Sequence, residues 1–132
     1  NLKYDKMDNK LKQMIQEAEP FRFISDSGHG WVEVRFDLLR AMKIARKISN
    51  YSYGYQGRGF LEEDCDAQVF MARAKQIIGR EPKVSPQYLN GDWAGRNFDS
   101  LPVVYSKWLG VTVLNKVIAP HFKCEDTVEV GA

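Results

Sequence analysis

The chain has 132 residues, the length of one domain, and enough to bury a core without metal or disulfide staples. Hydrophobic residues at 44% and charged residues at 27% exclude a wholly disordered chain, and the balance of 19 basic against 17 acidic residues excludes the strongly basic make-up of a dedicated duplex-DNA binder. No apolar run approaches the roughly 20 residues of a membrane span, and two cysteines make no disulfide framework, so a soluble protein of a reducing compartment without a membrane partner is expected.

In chain order, "NLKYDKMDNKLKQMIQEAE" reads as an amphipathic helix with Leu2, Met7, Leu11, Met14, Ile15 and Ala18 on one stripe, stopped by Pro20. "FRFIS" and "WVEVRF" alternate as strands do, and the intervening "DSGHG" completes a hairpin over 21–36. "FDLLRAMKIARKIS" has helical spacing over 37–47, with Asp37 as N-cap and a polar side of Arg40, Lys43, Arg46 and Lys47. "YSYGYQ" and "FLEE", separated by "GRG", predict a second hairpin over 51–63. "DCDAQVFMARAKQIIG" predicts a helix over 64–79, capped by Asp64 and ended by Gly79. From Glu81 to Leu101 no period is sustained, and Pro82, Pro86, Gly91 and Gly95 predict a long irregular connector. The apolar stretch 103–119 fits a helix or a strand, and "FKCEDTVEV" fits a last strand or a tail. The expected architecture is a single α+β domain spanning 1–132: a small antiparallel sheet of two hairpins packed by helices.

Several constellations carry possible chemistry. His29, His121, Cys65 and Cys124 are a Cys₂His₂ inventory, yet only His121 and Cys124 form a close pair where structural zinc draws two. Cys65 with His29 and a carboxylate would make a small enzyme, but Glu62, Glu63, Asp64 and Asp66 disfavour a thiolate. The same acids suit a helix N-terminus, where the dipole favours negative charge, and lack the ordered spacing of a calcium loop. No metal or other cofactor is therefore expected. Tyr51, Tyr53 and Arg58 beside the basic 40–47 segment could stack bases and track a nucleic-acid backbone. His29, between two glycines and beside Trp31, suits a tight turn or a binding loop.

Three words in order, "SGHGWVEV", "KISNYSY" and "FLEEDCDA", resemble a family of small uncharacterised proteins encoded by bacteriophages, plasmids and proteobacterial genomes. The likeness spans roughly residues 27 to 75, inside a family-like core of about 21–80. Its signature positions fall on Gly28, His29, Gly30, Trp31, Val34, Ile48, Ser49, Tyr51, Ser52, Tyr53, Leu61, Glu62, Glu63, Asp64, Cys65 and Asp66. Many relatives carry a glycine where this chain has Lys43, which argues against a sharp turn there. The resemblance implies a mobile-element accessory protein of the bacterial cytoplasm and supplies no reaction. The function expected is a non-enzymatic interaction module binding a host protein or complex, with nucleic-acid binding and a small enzyme or metal protein as alternatives. The candidate binding residues are His29, Trp31, Arg40, Lys43, Arg46, Lys47, Tyr51, Tyr53, Arg58, Glu63 and Asp64.

Overall fold

The computed structural model describes residues 2–110, with side chains from residue 6 onward. Its elements are α1 (Leu2–Ala18), β1 (Phe21–Ser25), β2 (Gly30–Arg35), α2 (Phe36–Ala41), a 3₁₀ turn (Ala45–Lys47), β3 (Tyr53–Tyr55), β4 (Arg58–Glu62), α3 (Asp66–Ile78), β5 (Val84–Tyr88), a second 3₁₀ turn (Ala94–Asn97) and α4 (Leu101–Trp108). The α+β domain and both hairpins are present, but the sheet is mixed and has five strands, ordered β3-β4-β2-β1-β5. The fifth strand lies in the stretch expected to be irregular. It pairs parallel to β1 from Phe21↔Val84 to Ser25↔Tyr88, after α3 has carried the chain across the sheet.

Directly paired residues share a face of a sheet, and successive residues alternate between faces. The register therefore sorts the strands cleanly. Phe21, Phe23, Val32, Val34 and Leu61 point to one face, where Ile15 of α1, Leu38 and Leu39 of α2, Phe70 and Ala74 of α3 and Leu101 of α4 form the main core. Ile24, Trp31 and Phe60 point to the other face and make a smaller core with Tyr53, Leu89, Trp93 and Phe98. The 89–99 connector is thus the lid of a second core.

Local chemistry explains where the elements stop. Gln56 and Gly57 both have positive φ (48° and 77°), the requirement of a two-residue turn matching the strand twist of β3–β4. Gly79 ends α3 with φ 78°. The predicted 37–47 helix is broken: α2 ends at Ala41, and Lys43 turns the chain with φ 61°. A sharp turn survives at this position, although the left-handed conformation costs a residue other than glycine about 1–2 kcal/mol. Asp37 is not the cap of α2; Arg35 precedes the helix, and Asp37 pairs with it at 3.1 Å. Of the stripe expected on α1, Ile15 is buried and Leu11 and Met14 are half-buried, while Met7 and Ala18 are exposed. Residues 111–132, with the ambiguous end of the 103–119 stretch and the expected last strand, lie outside the described residues.

The helix start before α3 also differs from expectation. Cys65 occupies the cap position but makes no capping hydrogen bond with its side chain, and Asp64 is exposed. The buried acid is Asp66, fully shielded from solvent. It accepts hydrogen bonds from Ser49 N (3.1 Å), Ser49 Oγ (2.7 Å) and Ser52 Oγ. Ser52 Oγ in turn accepts from Glu62 N at 2.9 Å. The Ser-x-x-Ser turn, β4 and α3 are therefore tied at one point. Burial outweighs these donors and pushes the Asp66 pKa up.

Glu19, at the end of α1, receives both arms of Arg80 at 2.7 Å and the Lys83 N–H at 2.6 Å. The Arg80 hydrogen bonds lead in lowering its pKa from 4.5 to about 2. A depressed carboxylate stabilises fully above its unfolded pKa and ceases to do so as pH falls through its folded one. The stability gap between the wild type and Glu19→Gln should be constant above about pH 4.5 and shrink toward pH 2 in urea titrations. A gap independent of pH would remove this role.

Candidate functional site

The β1–β2 loop is set by one buried acid. Asp26, whose side chain has no exposure, accepts from Gly28 N, His29 N and Trp93 N and from two nitrogens of Arg96 at 2.8 Å. Arg96 leads in holding the Asp26 carboxyl far below the usual range. The same acid thus locks the "SGHG" loop and the connector lid together. Arg96 also lies over the Trp31 ring, 5.1 Å from its centroid.

Beside this clamp, His29 is half exposed and its Nδ1 stands 4.0 Å from Glu62 Oε1. His29, Glu62, Glu63 and Asp64 each bring a donor atom into a group within 4.8 Å of one another. Glu62 is oriented by the Asp64 N–H at 3.0 Å, and burial, then the charge of Asp64, raises its pKa. Gly30 permits this approach, since a Cβ there would stand 2.9 Å from Glu63 Oε2 and 2.6 Å from Phe23 Cζ. Among the described residues these are the donors that could hold a cation. Cys65, considered beside His29 as the thiol of a small enzyme, is buried at 2% exposure and is disulfide-bonded rather than a free thiol. That removes it as a nucleophile and runs against the reduced cysteines expected from the sequence; His121 and Cys124 lie outside the described residues.

The remaining predicted residues do not form one surface. Trp31 is buried at 2% exposure, with its ring 4.7 Å from Trp93 and 6.2 Å from Tyr53. Arg58 is bound to Glu33 at 2.7 Å, and Glu33 also takes Arg22, so this cation is held in a shared ion pair on the sheet. Tyr51 is exposed, whereas Tyr53 is part of the small core. Arg40, Lys43 and Arg46 come together on the far side of the broken helix, and Lys47 is half-buried.

A surface the sequence did not reveal lies between α3 and the outer strand. Helices cover the main-core face only as far as β1, which leaves an apolar groove of about 650 Å³ lined by Phe23, Val32, Ala67, Met71 and Val84. Glu63, Lys75 and Glu81 border it, with Lys75 and Glu81 paired at 3.3 Å. Beside it runs β5, exposed at all five residues and, among the described residues, paired on one side only. Phe21 N donates to Lys83 O and Leu89 N to Ser25 O, each at 2.8 Å, so Lys83 and Leu89 face β1. Strand alternation then turns the backbone groups of Val84, Pro86 and Tyr88 outward. Pro86 offers a carbonyl and no N–H on this open edge, the side on which a strand tolerates proline.

No family model, curated protein or solved structure matches the chain. Among the described residues no helix is long and apolar enough to cross a membrane. The open edge and its groove are built from four elements, β1, β2, α3 and β5, and no short word in the sequence could have shown their meeting. The only available signal was the alternation of Phe21 and Phe23 against Val32 and Val34, which marks a face without saying how much of it is covered.

Proposed function

We propose that the protein is a non-catalytic interaction module that takes an extended segment of a partner protein as a sixth strand on β5. The observation that carries this reading is an open strand edge lying directly beside an uncovered apolar groove. Main-chain bonds to the edge would supply affinity, and alternate side chains entering the groove would supply selectivity. The segment should carry apolar residues at alternate positions and a basic residue beside them, since Glu63 and Glu81 outnumber Lys75 at the rim. Pro86 narrows the choice further, because an added strand finds no N–H opposite that position. The resemblance to proteins of phages and plasmids supports a host protein or complex as the source of this segment.

The test is selection of displayed peptides on the purified protein, followed by titration of a selected peptide. Affinity near ~1 μM is expected, falling at least tenfold with Met71→Glu, which places a charge in the groove. Backbone amide shifts of Val84 and Tyr88 should move with the peptide, while Arg46→Gln should leave binding intact. A selected peptide that binds Met71→Glu as well as the wild type, with unchanged melting temperature, would overturn the reading. So would shifts that map away from β5.

A further inference from the structure

The break in the second helix has created a cationic pocket. Arg40 lies in the last turn of α2, Lys43 sits at the turn and Arg46 lies in the following 3₁₀ turn, and all three line one cavity of about 310 Å³ together with Tyr105 and Leu109 of the α4 region. Among the described residues no carboxylate lines it. This is unusual within the molecule: Arg22, Arg35, Arg58, Arg80 and Arg96 each face a carboxylate, and Arg73 donates to Met42 O. Among the described residues Arg40, Lys43 and Arg46 make no such pairing.

Lys43 provides a second, independent observation. Its backbone is held at φ 61°, a conformation in which glycine would carry no strain. Residues kept in a disfavoured conformation cluster where the side chain has work to do, and here the side chain is a cation lining the pocket. Tyr105 is buried at 4% exposure, and the charges of Arg40 and Arg46 act on its hydroxyl against the upward effect of burial on its pKa. Arg40, Arg46 and Tyr105 line the same cavity.

We propose that Arg40, Lys43 and Arg46 with Tyr105 form a binding site for a phosphoryl group. Two guanidinium forks can each offer paired N–H groups to phosphate oxygens, and the ammonium adds a point charge. A dianion matches three convergent cations better than a single carboxylate does. The unpaired charge is confined to one pocket, and Arg22 and Arg58 are both engaged by Glu33 rather than extending it as a track, which favours an isolated phosphate monoester over a nucleic-acid strand. This site is separate from the β5 groove and stands whether or not that groove binds a peptide.

Calorimetric titration with inorganic phosphate, phosphoserine, adenosine monophosphate and a ten-nucleotide single strand tests it. Saturable binding below roughly 10 mM is expected, lost in Arg40→Gln with Arg46→Gln. Lys43→Gly should weaken binding about tenfold and at the same time raise the melting temperature, because it removes a charge and a backbone strain together. Equal affinity for the three small ligands assigns the site to the phosphoryl group itself. A gain for phosphoserine assigns it to a modified side chain, and a gain for the nucleotide to that class. Absence of saturable binding, binding unchanged by the substitutions, or an oligonucleotide bound far more tightly than the monophosphate would overturn the proposal.

Discussion

Asp66→Ala is expected to cost about 3–5 kcal/mol, measured as a lowered midpoint in urea unfolding. The carboxylate has no solvent exposure and accepts from Ser49 N, Ser49 Oγ and Ser52 Oγ. Alanine would leave one buried backbone N–H and two hydroxyls without their acceptor. Asp66→Asn should fall between, since its oxygen can still accept while its amide group meets donors. The effect reaches beyond one contact, because the same Ser52 hydroxyl accepts from Glu62 N. Losing the acid would loosen the turn after the first 3₁₀ segment, the end of β4 and the start of α3 together. A loss below about 1 kcal/mol would mean that the two serines have alternative acceptors and that the acid is dispensable.

Trp31→Ala is expected to cost about 3–5 kcal/mol as well, through the cavity it leaves in the smaller core. Trp31 is 2% exposed and touches Trp93, Tyr53 and Arg96. Its Nε1 is buried and has no hydrogen-bond partner among the described residues. Trp31→Phe therefore gives up volume without giving up a bond, and should cost only about 1–2 kcal/mol. Thermal or urea unfolding of the two variants checks both figures. A tryptophan serving a binding surface would behave otherwise, with stability nearly unchanged in either variant. That outcome would return Trp31 to the list of surface residues.

The parts of the fold that local pattern determines were legible. Alternation in "FRFIS" and "WVEVRF", the turn around Gly57 and the stop at Gly79 all stand where the sequence put them. β5 was not, for two physical reasons. Its five residues are all exposed, so no hydrophobic alternation marks it, and it contains Pro86, which argues locally against a strand. It is held by parallel pairing with β1, some sixty residues away in the chain, and such contacts leave no local trace. The helix break at Lys43 was hidden by residue type, because a turn that glycine would announce is made here by lysine. Arg40, Lys43 and Arg46 were legible as a polar helix side but not as a pocket, since they converge only once that helix is broken. The sequence offers Asp64 as the cap two residues ahead of Asp66, the acid that does the tying, and nothing in the run "EEDCD" distinguishes them before Ser49 and Ser52 are brought alongside. His29, Glu62, Glu63 and Asp64 do meet, as their matching positions at the ends of paired strands β2 and β4 allow.

The sheet also partitions the molecule energetically. One side rests on a large core shared by all four helices, the other on Ile24, Trp31 and Phe60 beneath a connector fastened by Asp26 and Arg96. Cooperative units of unequal size open at unequal free energies, and the smaller one can open while the larger stays closed. Hydrogen exchange is accordingly expected to resolve two foldons that share one sheet as their wall. The lid over Trp31 sets the lower rung of that ladder, and the helical core sets the upper.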